Sequence, residues 1–297
     1  MFQKQKEITG HSGAIYCCLA TDRFIYSGGA DHYLTRWSIT TGEQDKFAIK
    51  FEYSIYALEF INDDILVVGL SSGGMHFFDL KERKEIKFFT QHTKAVFSIK
   101  YNSHKNQLYV TDAEGNLSVW NTVDYSLMIY IPLDCGKIRK MGISPTGDFL
   151  ALACQDGMIR ILDTEYFNEL KTINAHKDGT TSILFHPLNA DLLISGGKDA
   201  LIKVWRWNQE ELVETIVAHN YAVYDLIALD EGQTFVSASR DKTVKIWNTN
   251  DFSFVQKLEL KTGGHRHSVN KLSAINENTF VSCSDDSSLK VWESISE

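Results

Sequence analysis

Serine, histidine and aspartate keep company along this chain, and a hydroxyl, an imidazole and a carboxylate together are what activates the nucleophile of many hydrolases. The stretch "SASRDKTVKIWNT" (residues 237–249) holds such an aspartate six places before a tryptophan, inside a run that otherwise alternates like a β-strand. The frame returns as "SGGADHYLTRW", "SGGKDALIKVW" and "SCSDDSSLKVW", so Asp31–Trp37, Asp199–Trp205, Asp241–Trp247 and Asp286–Trp292 share one offset. A catalytic triad is needed once. Four copies in register, each ending on a tryptophan, point instead to a structural device, and no catalytic residue is assigned. "GHRH" offers His265 and His267 to a metal but lacks an obvious third ligand; neither a metal nor a cofactor is expected.

Weaker copies of the frame, "VGLSSGGMHFF", "VTDAEGNLSVW" and "LACQDGMIRIL", fill the gaps. The anchors Trp37, Phe78, Trp120, Leu162, Trp205, Trp247 and Trp292 then recur every 41 to 45 residues, and seven units cover essentially the whole chain. Each unit holds short runs of β-branched and aromatic residues separated by Gly, Asp, Asn or Ser, such as "AVYDLIAL", "TFVSAS", "TVKIWNT" and "FVQKLEL" in the sixth. These read as antiparallel strands joined by tight turns, with no stretch periodic enough for a stable helix. A four-stranded sheet of this size cannot bury both faces alone, so the units must stack, and a radial arrangement closes them into a ring.

The chain resembles a seven-bladed WD40 β-propeller. The "GH" that opens the family's repeat stands at Gly10-His11 and Gly264-His265, with "AH" at His176 and His219 and "QH" at His92; the closing Trp-Asp pair is degenerate, reading "WS", "FD", "WN", "LD", "WR", "WN" and "WE". The expected fold is all-β, one propeller domain over residues 1–297 built from four-stranded antiparallel sheets. After Trp292 only "ESISE" remains, whereas "FQKQKEIT" (residues 2–9) sits just before Gly10-His11 where an outer strand belongs. The N-terminal strand is therefore expected to complete the last blade and close the ring.

The resemblance also implies a hydrogen-bonded chain of His, Ser, Asp and Trp within a blade. Matched by position, this gives His11, Ser27, Asp31 and Trp37 in blade one, then His176, Ser195, Asp199 and Trp205 in blade five. Blade six gives His219, Ser237, Asp241 and Trp247, and blade seven His265, Ser282, Asp286 and Trp292. Blades two, three and four depart: Phe51 and Asp134 stand at two of the histidine positions, and Val68, Val110 and Leu152 at the serine positions. Their networks are expected to be missing or incomplete.

Partners of such propellers often touch one face at three positions per blade. Carried over, these include Tyr16, Tyr56 and Phe97 in blades one to three, each flanked by small residues, then Lys137 and Arg139 in blade four, Lys198 in blade five, and Tyr224 with Arg240 in blade six. Blade seven supplies Ser268, Asn270 and Asp285, so the 21 positions carry a net charge of +3 on a chain of net −8. Rings beside cations are enriched in binding hot spots. The expected function is a non-catalytic scaffold binding an acidic or aromatic-anchored peptide or protein, within a multi-protein complex. Single-stranded nucleic acid is the alternative, since a basic groove with stacking rings describes that ligand too. A propeller enzyme at the channel mouth is least favoured, because few carboxylates gather there.

Composition bounds these readings. With 297 residues, 43% hydrophobic and 23% charged, the chain can bury a large core, and no apolar run is long enough to span a membrane. The opening "MFQKQKEITG" lacks the apolar stretch of an export signal, so the expected compartment is the cytoplasm and the expected form a monomeric propeller. Five cysteines without a CxxC pair read as reduced, buried residues. Cys135, near Lys137 and Arg139, could hold a reactive thiolate, with an incidental loop cysteine the plainer reading; Trp207 is expected to pack rather than to bind.

Overall fold

In the computed structural model, which describes residues 1–295, seven four-stranded antiparallel sheets follow one another along the chain. Blade one runs Ile15–Ala20, Phe24–Gly29, Tyr33–Ser38 and Gln44–Lys50 from the axis outward, and the next five repeat this meander. Inner strands of successive blades pack side by side around the ring, that of blade seven against that of blade one. Each of seven apolar clusters draws on two adjacent blades; one joins Leu34 and Tyr26 of blade one to Leu66 and Phe78 of blade two. This is why the second strands read as near-continuous apolar runs: the strand Gln107–Asp112 is buried at every residue, while the outer strand Gln44–Lys50 alternates between exposed and half-buried. No helix among the described residues is long and apolar enough to cross a membrane.

Ring closure follows the expected route. The strand Phe2–Thr9 pairs antiparallel with Ser288–Ser294 and forms the outer strand of blade seven. Phe2 packs edge-on against Phe280 at 5.4 Å, its backbone exchanges two 2.8 Å hydrogen bonds with the Gln256 side chain of blade six, and Ile8 is buried.

Blades one, five, six and seven each carry a relay of three hydrogen bonds. In blade one the Trp37 indole N–H donates to Ser27 Oγ (2.7 Å), Ser27 lies 2.7 Å from His11 Nε2, and His11 Nδ1 lies 2.8 Å from the Asp31 carboxylate. The Trp205–Ser195–His176–Asp199, Trp247–Ser237–His219–Asp241 and Trp292–Ser282–His265–Asp286 relays repeat this within 2.8–3.0 Å. One consistent donor order runs through each: indole to hydroxyl, hydroxyl to Nε2, and Nδ1–H to carboxylate, which requires a neutral imidazole. Burial holds His219 and His265 below the usual imidazole range, against their aspartates. Burial alone would raise the Asp199, Asp241 and Asp286 carboxyls, but the histidine N–H and nearby backbone N–H groups outweigh it and hold them below the usual range. The loop glycine before His11 is constrained by the same tryptophan: Gly10 has φ +155°, and a Cβ there would meet the Trp37 ring at 2.5 Å.

Blade three corrects the sequence reading, because its relay is complete. His92 Nδ1 meets Asp112 at 2.8 Å, His92 Nε2 meets Ser118 Oγ at 2.7 Å, and the Trp120 indole donates to Ser118 at 2.8 Å. Val110 occupies the usual serine position, so the hydroxyl comes from the third strand and the carboxylate from the end of the second; side chains facing the same point fill the same roles from other positions. Blade two replaces the relay with an aromatic group in which Phe51 meets the His76 ring edge-on at 4.9 Å. Blade four sets Arg160 on Asp156 at 2.7 Å, below a buried Leu162.

Candidate functional site: the channel mouth

Every inner strand opens with a β-bulge, where the register slips between Ile15 and Cys17 in blade one and at the equivalent point in each other blade. The residue left without a ladder partner is Tyr16, Tyr56, Phe97, Arg139, Thr181, Tyr224 or Asn270. A bulge bends its strand and re-aims one side chain. Repeated around an axis, it turns one residue per blade toward the end of the channel.

There the side chains enclose a cavity of about 280 Å³ lined by Tyr16, Tyr56, Phe97, Lys137, Arg139 and Tyr224, together with residues of blade seven. Tyr16 and Tyr56 stack with centroids 4.9 Å apart, Tyr56 and Phe97 tilt together at 5.0 Å, and Lys137 Nζ caps the row 4.4 Å from the Phe97 centroid. Across the cavity the Arg139 guanidinium lies 4.3 Å over Tyr224. Blade seven closes the wall with Asn270, whose amide donates to Asp285 at 2.7 Å. Six of the eight predicted contact residues thus share one cavity. Lys198 and Arg240 do not line it: both are exposed, and Arg240 lies 5.8 Å over Tyr221.

The cations at the mouth lack acidic partners. Among the described residues no carboxylate lies within ion-pair distance of Lys137, Arg139, Lys198 or Arg240, and the ion pairs along the axis belong to deeper residues. Burial lowers the basicity of Lys137, and the charges of Arg139 and Lys198 lower it further. Burial likewise lowers Arg139, against the opposing pull of Tyr224, Asp225 and Asp285. Lys137 and Arg139 are partly desolvated and form no ion pair among the described residues, so a bound anion would be favoured beside them.

Below the mouth lies a second set of charges that the sequence reading missed. Lys140 of blade four bonds both the Asp225 carboxylate and the Leu226 carbonyl of blade six, and Asp225 also accepts from the Leu272 backbone at 2.9 Å. Lys271 stands 3.8 Å from Asp225, and Lys100 pairs with Glu59 at 3.0 Å. Burial pulls Lys140 down to about 8, against the opposing pull of Asp225. The available signal was a charge placed one residue beyond a mouth position, where blades one, two, three and five carry the small residues Cys17, Ala57, Ser98 and Ser182.

Two further expectations were tested by packing. Cys135 is only 2% exposed, and its thiol is lowered first by Cys154 and then, against burial, by Arg160; Lys137 and Arg139 play no part, so a solvent-facing reactive thiolate is not what the loop holds. Trp207 is buried against Phe149, and its indole donates to the Ala190 carbonyl at 2.8 Å. Both ring nitrogens of His265 are engaged in its relay while His267 is exposed, so the two cannot share an ion.

Comparison with known proteins agrees with this architecture. The "WD domain, G-beta repeat" family profile matches residues 2–38, 83–121, 210–248 and 255–293, together about half of the chain, and an "Anaphase-promoting complex subunit 4 WD40 domain" profile matches 104–188. All four repeat segments start at or just beside an outer strand and end on or near the third strand of the following blade, which is how residues 2–9 come to be matched with blade one. The chain is 24% identical over 220 residues to the U3 small nucleolar RNA-associated protein 15 homolog of Gallus gallus, covering 72% of this chain and 41% of that protein. It is 22% identical over 264 residues to striatin of Mus musculus (84% and 30%), and 26% identical over 190 residues to the COMPASS component SWD3 of Saccharomyces cerevisiae (58% and 60%). The chain therefore spans less than two thirds of the length of each of these relatives.

Proposed function

The chain belongs to the WD40-repeat family of β-propellers, and from that premise we propose that it is a non-catalytic scaffold whose channel mouth takes an acidic, aromatic-anchored segment of a protein partner. The observation that carries this is the pairing of a stacked ring row, Tyr16–Tyr56–Phe97, with Lys137 and Arg139, which have rings beneath them and no carboxylate within ion-pair distance among the described residues. The rings supply rigid contact area, and a glutamate or aspartate supplies the missing countercharge. Lys198 and Arg240 extend the positive field outward and would steer an acidic segment inward. A relative that is by name a component of COMPASS is in keeping with a role inside an assembly. Five free, buried cysteines suit a reducing compartment, and a cytoplasmic setting is part of the proposal.

Nucleic acid is the second reading, and a relative named as small nucleolar RNA-associated favours it. The ring geometry favours peptide. Bases stack on open aromatic faces, whereas both faces of Tyr56 are taken by Tyr16 and Phe97, and Lys137 lies over Phe97, which leaves few open faces in the row.

The two readings separate in one titration of the intact protein. A fluorescent ten-residue peptide of alternating Glu and Tyr and a fifteen-nucleotide oligothymidine are each followed by anisotropy. The peptide should bind, and Lys137→Glu or Arg139→Glu should weaken it by about tenfold or more, the loss of one charge-assisted contact. Peptide binding indifferent to both charge reversals would remove this function. Tighter oligothymidine binding with a steep logarithmic dependence on salt would transfer the site to nucleic acid.

A further inference from the structure

Propeller rims end in open sheet edges, and the seven edges of this ring are unequal. Edge strands invite pairing with another strand unless charge, proline or a covering element prevents it. Six of the seven outer strands carry charged residues: FQKQKEIT, QDKFAIK, KEIKFF, ELKTIN, ELVETIV and FVQKL. The outer strand of blade three, Leu127–Pro132, reads LMIYIP and carries none. Ile129 and Ile131 turn inward against the core shared with blade four, while Leu127, Met128 and Tyr130 are 38%, 51% and 37% exposed. Val123, at the turn leading into the strand, is more exposed still. Pro132 removes a backbone donor only at the last position. A bulge at Met128, as in the other outer strands, breaks the ladder, and beyond it the edge combines free backbone groups with an exposed apolar face.

We propose that this strand pairs with the same strand of a second copy of the chain, antiparallel across a two-fold axis, so that two propellers meet rim to rim. Charge selects this occupant. In a two-fold pair each strand faces itself reversed, and an edge with several charges of one sign, such as ELVETIV with Glu211 and Glu214, sets like charges near one another. LMIYIP sets only apolar side chains opposite each other, and Asp124 and Asp134 beyond its ends confine the ladder to the uncharged stretch. The convex rim lets two strands approach without other parts of the rings colliding. Six residues a side form an interface below the range of stable complexes, so the association is weak and depends on concentration.

Sedimentation velocity of the full chain from about 1 to about 300 μM, spanning the affinities of weak interfaces, tests this. The weight-average sedimentation coefficient of the wild type should rise with concentration toward that of a dimer. Met128→Lys, which sets a cation on each strand, should raise the dissociation constant about tenfold or more, while Val217→Lys on the blade five edge should leave it unchanged. A wild type that stays monomeric throughout overturns the proposal, as does a folded Met128→Lys protein that dimerises equally well. Amide hydrogen exchange of the wild type at both ends of the range needs no variant: residues 127–131 should exchange more slowly at high concentration, and protection confined to another edge strand also overturns it.

Discussion

Ser118→Ala in blade three and Thr35→Ala in blade one change the same repeat position, two residues before the tryptophan, and should differ several-fold in cost. Ser118 Oγ is the sole hydroxyl of its relay, accepting from Trp120 Nε1 at 2.8 Å and meeting His92 Nε2 at 2.7 Å with all three side chains buried. Removing it strands two polar groups, each costing about 1–3 kcal/mol, so the loss is about 2–6 kcal/mol. In blade one Ser27 already serves both Trp37 and His11, and Thr35 adds only side bonds of 3.1 Å to Ser27 and 2.9 Å to His11. Its removal should cost about 1 kcal/mol or less. By calorimetry at neutral pH, with a large domain losing roughly 2–4 °C per kcal/mol, Ser118→Ala should lower Tm by roughly 4–24 °C and Thr35→Ala by no more than about 4 °C. Equal shifts, or a Ser118→Ala shift of under about 2 °C, would refute the claim that the third strand supplies the hydroxyl in blade three.

Deleting residues 1–9 removes the buried side chains of Phe2 and Ile8, worth about 1.5–3 kcal/mol each, and a whole ladder, so Tm should drop by more than about 10 °C; an unchanged melting curve contradicts closure by this strand. Stability should fall on acidification. His219 and His265 sit below their unfolded value of 6.5, and Asp112, Asp199, Asp241 and Asp286 below theirs of 3.8, so in each case the unfolded chain takes up protons first. The urea midpoint should begin to decline as pH drops below about 6.5 and decline more steeply below about 4; a midpoint constant between pH 7 and 4 would contradict neutral buried histidines.

What was legible in the sequence was whatever repeats. The spacing of Trp37 through Trp292 yields the blade count, and the surplus strand before Gly10 yields the closure, because both rest on equivalence between units. The mouth was legible for the same reason: a bulge at one point of every inner strand turns the same repeat position toward the axis. Relations between units were not legible. Asp112 and Ser118 complete a relay from positions that other blades fill with glycine, serine, leucine or cysteine and with threonine, histidine, arginine or lysine, so aligned columns hide them. Lys140 reaches Asp225 past the inner strand of blade five, which is small there at Ser182, and no periodicity marks a contact across 85 residues. For Cys135 the plainer reading stands and the reactive one fails, because proximity in sequence to Lys137 and Arg139 is not proximity in space and the thiol interacts instead with Cys154 and Arg160.

The clasp between residues 2–9 and 288–294 also sets an order of events during biosynthesis. Blades one to six can pair their own four strands as each leaves the ribosome, but residues 2–9 have no partner until residues 288–294 have been made. At about 5–20 residues per second that wait is some tens of seconds, during which "FQKQKEIT" hangs as an unpaired ribbon. Its alternation of lysine, glutamine and glutamate with few apolar residues keeps such a ribbon from sticking to its neighbours, so the composition of this one strand answers to its history as well as to its final place.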